Sequence, residues 1–405
     1  MNILSVNKYF WKKGGSETVF FGEKQLLESH GHQVIPFSMQ SSQNLETPFS
    51  KYFVTEVNYT EKGLYNKISA ASKIIYSFEA RRKIESLLRD HSPDLAHFHI
   101  FQHQISPSVF GPLQKRKIPI LLTLHDLKPI CPNYKMLTNG RVREECKGKR
   151  FYNCTLNRCT KGSLLGSLTN TLEMYFHYLM GYYQSVDYYI APSQFIKNKF
   201  IDFGFPESKM KYLPNFIDAP RHADGSRDDR YVLYFGRLSH EKGLPTLLRS
   251  AKSTPRIRYR IVGNGPLERE LQEWTEREKL SNVIFHGYQT GNTLKKLLEG
   301  ASCVVLPSEW YENCPMSLLE AFASAKPVIG TDIGGIPELI ENGEDGIVVP
   351  PGDHQALADA IRTLWENPEQ AKAMGQAGFE KVKERHSPEK HYQGLISIYE
   401  SALSK

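Results

Sequence analysis

Short apolar runs alternate with amphipathic stretches along the first half of the chain. Residues 2–7 form an apolar run of strand length, and residues 17–30 then carry apolar side chains at helical spacing. Further strands are predicted at 33–38, 94–98, 119–124 and 188–191, and further helices at 78–91 and from 193 onward. Because strands and helices alternate with short connections, this pattern predicts a parallel, doubly wound sheet.

The second half repeats the alternation, mostly with apolar runs that are typical of buried strands. Strands are predicted at 231–235, 257–262, 283–286, 303–306, 327–329 and 346–349, and two of the helices between them at 266–277 and 317–325. The stretch 214–230 is polar and contains Pro, Gly and Asp, a composition typical of a linker.

The chain is therefore predicted to be an α/β protein with two Rossmann-like, doubly wound domains that face each other across a cleft. We expect the first domain at 1–213, the linker at 214–230 and the second domain at 231–387. A final helix at about 388–405 is expected to pack back on the first domain. Ligands of such sheets bind outside the carboxyl ends of the strands, so functional residues are expected there.

Composition narrows the class of protein. The 405 residues are too many for one ordinary core, and 40% hydrophobic and 23% charged residues are typical of a globular protein. No run of about 18 apolar residues occurs, and the first residues lack a basic segment followed by a long apolar stretch. We therefore expect neither a membrane-spanning helix nor a signal peptide, and a cytoplasmic location.

The net charge of +7 is unevenly distributed. Residues 1–212 hold 28 Lys and Arg against 17 Asp and Glu, whereas the remainder holds 23 against 27. A basic first half favours an anionic partner such as lipid headgroups or a lipid-phosphate acceptor, and a solvated basic face is the alternative. No recognisable nucleic-acid-binding module accompanies the charge, so no nucleic acid is expected.

Two cations follow a predicted strand in the segment Phe235-Gly236-Arg237-Leu238-Ser239-His240-Glu241-Lys242. A loop behind the strand end can aim both side chains into the cleft. The rigid fork of Arg237 and the compact charge of Lys242 both suit a diphosphate. An ordinary surface loop is the alternative.

Two carboxylates eight residues apart, Glu312 and Glu320, flank the start of a predicted helix. Pro315 fits the first turn of that helix, where its missing N–H costs nothing. The free N–H groups near Met316 and Ser317 then form an anion site. Glu320 is a candidate partner for ribose hydroxyls and Glu312 for a sugar hydroxyl; a capped core helix is the alternative.

This order and spacing of Arg237, Lys242, Glu312 and Glu320 resembles the retaining GT-B glycosyltransferases of family 4, also called glycosyl transferases group 1. Further segments that resemble the family are Gly263-Asn264-Gly265-Pro266, Thr331-Asp332-Ile333-Gly334-Gly335-Ile336-Pro337-Glu338 and Asn342-Gly343-Glu344-Asp345-Gly346-Ile347-Val348-Val349-Pro350. The resemblance implies a nucleotide-sugar donor, transfer with retention of anomeric configuration and no catalytic cofactor.

The resemblance also assigns roles. Arg237 and Lys242 would hold the diphosphate, Glu320 the ribose and Glu312 the donor sugar. The donor-binding segment that it implies also contains Asn313, Cys314, Pro315, Met316 and Ser317. The acceptor is expected to be a glycan or a lipid-linked glycan in cell-surface polysaccharide synthesis.

The first half resembles the family more loosely. Gly14 and Gly15 follow the first strand, and the matching family loop lies beside the donor phosphates and the acceptor. A plain helix start with Ser16 as N-cap is the alternative. His125 follows the strand 119–124 and resembles the family histidine in the sugar pocket, although a lone histidine is more often structural.

Four of the six cysteines cluster at Cys131, Cys146, Cys154 and Cys159, with 14, 7 and 4 residues between them. Four thiolates suit a structural zinc ion, although the spacing is not the usual paired one. Free thiols or a loop disulfide are the alternatives.

The stretch 164–183 is rich in aromatic residues. A membrane-surface helix that reaches a lipid-linked acceptor is one interpretation, and a helix packed within the first domain is the other. The second is favoured because the stretch has no basic polar face.

Other functions remain for comparison with glycosyl transfer. A nucleotide-sugar epimerase or a sugar phosphorylase shares the two-domain fold, but no lysine stands out as the pyridoxal carrier of a phosphorylase. An inactive homologue that acts as a binding module is a third reading, against which the complete set of site residues argues. A dinucleotide oxidoreductase is disfavoured because no G-x-G-x-x-G follows the first strand.

Overall fold

The computed structural model describes residues 1–57, 72–223 and 228–405, so part of the predicted linker, 224–227, lies outside the described residues. The chain divides into two compact units. Met1–Leu213 and Tyr392–Lys405 form the first unit, and Pro214–His391 form the second. Within the described ranges, no helix has the length and apolar character needed to cross a membrane.

The first unit is built on a six-stranded parallel sheet in the order β2-β1-β3-β4-β7-β8. The strands of this unit are β1 (Asn2–Val6), β2 (Gln33–Phe37), β3 (Leu95–Phe98), β4 (Ile120–Thr123), β5 (Leu137–Thr138), β6 (Arg141–Val142), β7 (Tyr188–Ala191) and β8 (Met210–Tyr212). β5 and β6 form a separate antiparallel hairpin. The order reverses between β1 and β3, which makes their carboxyl ends a topological switch point.

The helices before the second unit are α1 (Gly15–Ser29), α2 (Phe78–Asp90), α3 (Phe110–Lys115), α4 (Tyr152–Leu156), α5 (Leu164–Leu179) and α6 (Gln194–Asp202). The alternative in which Ser16 is the N-cap of α1 does not hold, because the helix already begins at Gly15 and Gly14 is its N-cap. Ser16 Oγ instead donates to Glu17 Oε1 at 3.1 Å. Side-chain caps do start α2, α5 and α6, where Ser77, Ser163 and Ser193 accept backbone N–H bonds.

The second unit has a six-stranded parallel sheet in the order β11-β10-β9-β12-β13-β14. The strands are β9 (Val232–Phe235), β10 (Tyr259–Val262), β11 (Val283–Phe285), β12 (Cys303–Leu306), β13 (Val328–Thr331) and β14 (Gly346–Val349). The helices are α7 (Leu244–Ser253), α8 (Glu268–Arg277), α9 (Gly291–Glu299), α10 (Met316–Ala323), α11 (Ile336–Leu339), α12 (His354–Glu366) and α13 (Pro368–Arg385). Two apolar clusters cover its strands, so both sheets confirm the predicted doubly wound α/β fold.

The last helix, α14 (Pro388–Leu403), belongs to the first unit from Tyr392 onward. Leu395 and Tyr399 are fully buried in an apolar cluster with Ile3 of β1 and Leu121 of β4. The C-terminal helix therefore completes the apolar core that covers the first sheet, although all strands of that sheet lie before residue 214.

A buried ion pair anchors α5 to the loop after β4. Lys128 Nζ donates to Glu173 Oε2 at 2.6 Å, and both side chains are buried. Burial alone would raise the pKa of Glu173, but Lys128 and His103 outweigh it and hold that pKa well below its usual range. Because a buried charge without its partner costs about 3–5 kcal/mol, the pair fixes the base of residues 127–163, which we call the cysteine insertion.

Helix α5 buries polar side chains and exposes apolar ones. Glu173 and His177 are fully buried, whereas Leu165 is 71% and Leu179 is 84% exposed. The other exposed apolar residues of this face are Leu164, Leu168, Leu172 and Tyr175. A helix with this distribution does not use its leucines for the core of its own unit.

Candidate active site

The candidate donor site lies where the strand order of the second unit reverses. β9 pairs with β10 on one side and with β12 on the other, so the carboxyl ends of β9 and β12 form the switch point. The loop after β9 carries Arg237 and Lys242, and the loop after β12 carries Glu312. The structure thus places these three predicted residues at one edge of one sheet.

The carboxylate of Glu312 is the centre of this edge. It is buried, and its Oε1 accepts hydrogen bonds from Lys242 Nζ at 2.6 Å, Ser308 Oγ at 2.6 Å and Trp310 Nε1 at 3.0 Å. Burial alone would raise the pKa of Glu312, but Lys242 and the two neutral donors outweigh it and lower the pKa. Glu312 is therefore ionised at neutral pH and holds Lys242 in place.

Two glycines allow the loops to approach each other this closely. Gly334 has φ +64°, and a Cβ there would lie 2.3 Å from the backbone oxygen of Glu312. Gly243, directly after Lys242, has φ +68°, and a Cβ there would lie 1.7 Å from the backbone oxygen of Pro307. Only glycine tolerates this conformation and this proximity together, so both positions hold the site loops against the strand ends.

The other predicted donor-site residues lie in the loop after β9 and around the start of α10. Arg237 is exposed, while Asn313, Pro315, Met316 and Ser317 are half-buried. Pro315 is the N-cap of α10 rather than a residue of its first turn. Half-buried Glu320 lies on the same helix, and burial raises its pKa to about 7.

Cys314 differs from its neighbours. Its side chain belongs to an apolar cluster of the second unit, and burial raises the pKa of its thiol to about 12. Its backbone oxygen accepts from Asn215 Nδ2 at 2.9 Å. Any contact of Cys314 with a ligand would therefore involve the backbone and not the sulfur.

In the first unit, the switch point brings together His125 and groups that the sequence did not single out. His125 follows β4, and its Nε2 lies 2.9 Å from Nδ1 of His99, which follows β3. Burial lowers the pKa of His125 to about 4, so its imidazole is neutral at physiological pH. The spacing His97-x-His99 at a strand end was the signal that could have identified His99.

The loop at Gly14 and Gly15 leads into α1 on the same edge of the sheet. Gly14 is extended, and a Cβ there would lie 3.6 Å from Glu17 Oε2, an ordinary contact. Glu17 is buried beside this loop, and its pKa is raised by burial. A glycine-rich loop with a buried carboxyl group beside it is thus available to a ligand of the first unit.

The four cysteines of the insertion are brought together. Cys131, Cys146, Cys154 and Cys159 line one cavity of about 10 Å³, which is the size of a single atom or water molecule. All four are free thiols. Burial and the neighbouring thiols raise the pKa of Cys146 to about 12, whereas a hydrogen bond from Cys154 lowers the pKa of Cys159 to about 6.

Two protein-family models match the chain. The model of Glycosyltransferase Family 4 matches residues 13–221, and that of Glycosyl transferases group 1 matches residues 218–381. The chain belongs to glycosyltransferase family 4. Among curated relatives, the O-antigen chain mannosyltransferase C of Escherichia coli is 30% identical over 222 residues, which are 53% of this chain and 59% of that protein.

Solved structures show the same fold. The sucrose-phosphate synthase of Thermosynechococcus elongatus superposes with a TM-score of 0.75 at 19% identity, covering 100% of this chain and 99% of that one. The Anabaena protein HepE in complex with UDP-glucose superposes with a TM-score of 0.66 at 18% identity, covering 99% and 100%. The two parallel sheets of this family 4 member are those of GT-B glycosyltransferases.

The raised pKa of Glu320 predicts a pH dependence of stability. Between its usual pKa of 4.5 and the folded-state value of about 7, the folded chain holds a proton that the unfolded chain has released. This contribution is complete below the lower value and is lost as the pH rises through about 7. Urea denaturation from about pH 5 to pH 8 should therefore show a smaller loss of stability for Glu320→Gln than for the wild type. Parallel curves for the two proteins would contradict the assignment.

Proposed function

We propose that this glycosyltransferase transfers a sugar from a nucleotide-diphosphate sugar to a glycan or lipid-linked acceptor, with retention, in cell-surface polysaccharide synthesis. The observation that carries the proposal is the ionised, buried Glu312 carboxylate paired with Lys242 at the switch point of the second sheet. The similarity to a UDP-glucose-bound GT-B structure and to an O-antigen mannosyltransferase supports it.

In this proposal the donor lies along the carboxyl ends of β9 and β12. Arg237 and Lys242 bind the diphosphate, with the N–H groups at the start of α10 adding a positive end of a helix dipole. Glu320 accepts hydrogen bonds from the ribose, and Glu312 accepts one from the transferred sugar. Lys242 then lies between the transferred sugar and the diphosphate, because Glu312, which binds the sugar, holds the Lys242 ammonium while that ammonium neutralises the phosphate.

Transfer proceeds by departure of the diphosphate on the face that the acceptor attacks. Arg237, Lys242 and the α10 terminus stabilise the charge that develops on the leaving group. The acceptor hydroxyl loses its proton to the departing phosphate oxygen as the new glycosidic bond forms on the same face, which retains the configuration. The role in the sugar pocket that the family resemblance implies is assigned to His125 of the first unit.

A donor panel tests the proposal as a whole. Full-length protein is incubated with UDP-, GDP-, ADP- and dTDP-sugars, and binding, hydrolysis and product are followed by calorimetry and NMR. We expect binding of one nucleotide class and slow release of sugar with the anomeric configuration of the donor. Release with inversion would overturn retention, and conversion of the donor to its epimer would favour the epimerase alternative.

Removal of the Lys242 charge tests the site itself. Lys242→Ala should lower kcat about 10²–10³-fold, the usual effect of deleting one group that stabilises a leaving oxyanion. Its thermal unfolding should change much less than its turnover, because Ser308 and Trp310 still donate to Glu312 in the variant. Lys252→Ala is the matched control, because Lys252 is an exposed lysine of the same unit that pairs with Glu278. Near wild-type turnover of Lys242→Ala would reject the assignment.

We further propose that the exposed face of α5 contacts an anionic membrane that carries the acceptor. The basic groups missing from α5 itself are supplied by the adjoining insertion, where Lys147, Lys149 and Arg150 are exposed. The insertion is held against the helix, since Tyr152 N donates to Tyr175 Oη at 3.3 Å and the Oγ1 atoms of Thr155 and Thr171 lie 2.9 Å apart. Leucines flanked by cations suit a headgroup region.

Co-sedimentation with phosphatidylglycerol-containing vesicles measures this contact. The double variant Leu165→Gln/Leu179→Gln should bind vesicles at least about tenfold more weakly, because two apolar side chains no longer enter the interface. Leu45→Gln, at an exposed leucine outside α5, serves as the control. Equal binding by all three proteins, or no binding by the wild type, would contradict the proposal.

Finally, we propose that the four insertion cysteines hold a structural zinc ion. The atom-sized cavity lined by four thiols suits the metal in ligand type and number. Among the described residues, the group of three or more whose donor atoms all lie within 4.8 Å of one another is Glu23, His97 and His99, so no three of the thiols are this close together. Binding would draw them together and tie the hairpin β5–β6 to α4.

Metal analysis of protein purified without chelators checks the zinc site. We expect about one equivalent of zinc, lost in Cys146→Ser and retained in Cys303→Ala, a buried cysteine of the second unit. Loss of the ion should also lower the thermal stability of the first unit. Less than about half an equivalent of metal in the wild type would reject the site.

A further inference from the structure

A chain of buried polar side chains runs behind His125 in the first unit. Glu23 lies on α1, His97 and His99 lie at the end of β3, and His125 follows β4. Glu23 Oε2 is 3.5 Å from His99 Nε2, and His99 Nδ1 is 2.9 Å from His125 Nε2. Glu23 and His99 are 3% and 2% exposed, so water does not screen these contacts.

This array of polar side chains arises from the pairing of β3 and β4. β3 and β4 are adjacent and parallel, with His97 opposite Leu121, so the residues after both strands emerge side by side. The imidazoles of His99 and His125 are stacked with centroids 5.2 Å apart, and the Phe20 ring of α1 lies edge-on to His99 at 5.2 Å. The ring planes are therefore fixed by packing as well as by hydrogen bonds.

Glu23, His97 and His99 could also be regarded as metal ligands, since their donor atoms lie within 4.8 Å of one another. However, both nitrogens of His97 already have partners. Its Nδ1 is 2.8 Å from Tyr399 Oη, and its Nε2 is 2.7 Å from Thr123 Oγ1. A metal ion would have to break the bond to Tyr399, so a network of hydrogen bonds and close polar contacts accounts better for the cluster.

The positions of the protons follow from the acceptors. A contact between two neutral imidazole nitrogens needs one proton, carried by one ring and accepted by the other. The Glu23 carboxylate favours the proton of His99 on Nε2, which leaves Nδ1 of His99 as the acceptor. The Nε2 atom of His125 must then donate, and its Nδ1 keeps a free lone pair.

We propose that Glu23 and His99 are positioning residues that hold His125 as its neutral Nε2–H tautomer, with Nδ1 available to accept a hydrogen bond from a sugar hydroxyl. This inference rests on the proposed contact of His125 with the donor sugar. It assigns functional roles to two residues outside the donor-site motifs, and it explains why an acidic residue is buried on the inner face of α1.

The charges that face His125 agree with a neutral ring. Burial lowers its pKa to about 4, the carboxylate of Glu23 opposes this shift, and His97 adds to it. The Tyr399 hydroxyl faces the same cluster from α14, and its pKa is raised by burial and by Glu23. The neighbouring Asp126 has its pKa raised to about 6 by burial. A second proton on His125 would thus be costly at physiological pH.

Histidine-selective ¹⁵N NMR of the full chain reads the tautomer directly, and kinetics with the donor found in the panel read its effect. The wild type should show His125 with a protonated Nε2 and an unprotonated Nδ1. In Glu23→Gln, whose amide both donates and accepts, the His125 signals should indicate a mixture of tautomers. Its kcat should fall about two- to tenfold, in proportion to the fraction of His125 in the Nδ1–H form, with KM for the donor changed by less than about twofold, since that form lacks the catalytic contact.

Tyr399→Phe is the matched control. It removes a hydrogen bond from the same buried cluster but leaves the path from Glu23 to His125 intact, so it should lower stability while preserving both the tautomer and kcat. A protonated Nδ1 in the wild type, or an unchanged tautomer in Glu23→Gln, would overturn the proposal. So would a stoichiometric metal ion that is lost in Glu23→Gln.

His125→Ala separates this inference from the proposed function. If that variant keeps wild-type turnover, the sugar-pocket role of His125 is rejected whatever its tautomer. If it loses turnover while Glu23→Gln retains turnover and tautomer, His125 contacts the sugar without the help of Glu23, and only the positioning proposal fails.

Discussion

The buried carboxylate of Glu312 is the constraint around which the second unit is arranged. A desolvated carboxylate persists only where donors surround it, and here Lys242, Ser308 and Trp310 converge from the loops after β9 and β12. Their convergence requires the loops after β9 and β12 to approach more closely than a Cβ permits, which explains the glycine at position 243. Charge, loop shape and strand order thus depend on one another.

The fold could be predicted largely from the sequence because parallel strands leave continuous apolar runs and helices leave a different period. Element ends were less predictable. The pattern placed the start of the first helix at residue 17, but Gly15 and Ser16 are already helical and Gly14 is the N-cap. Neither residue carries an apolar side chain, so the apolar period could not show that the helix includes them. The candidate donor-site residues could be proposed because a single loop-and-helix segment carries Glu312 and Glu320 at a fixed spacing.

Residues that act through tertiary contacts could not be named in this way. Glu23 on α1 and His99 after β3 lie far apart in the sequence, and their proximity depends on the pairing of β1, β3 and β4. The basic groups beside α5 also escaped prediction, since they come from another part of the chain. The sequence alone showed an aromatic segment without cations, whereas folding adds the cations of the insertion to it.

The ion pair between Lys128 and Glu173 determines which residues would have to accompany the cysteine insertion in a graft. It joins the start of the cysteine insertion to α5, the helix that follows the insertion, so the two segments that flank the cysteines are held together independently of the cysteines themselves. The insertion is therefore a segment with a defined attachment point, the ion pair between Lys128 and Glu173. Grafting the insertion onto another member of the family would require Lys128 and Glu173 to be transferred together, because either charge alone would be buried without its partner.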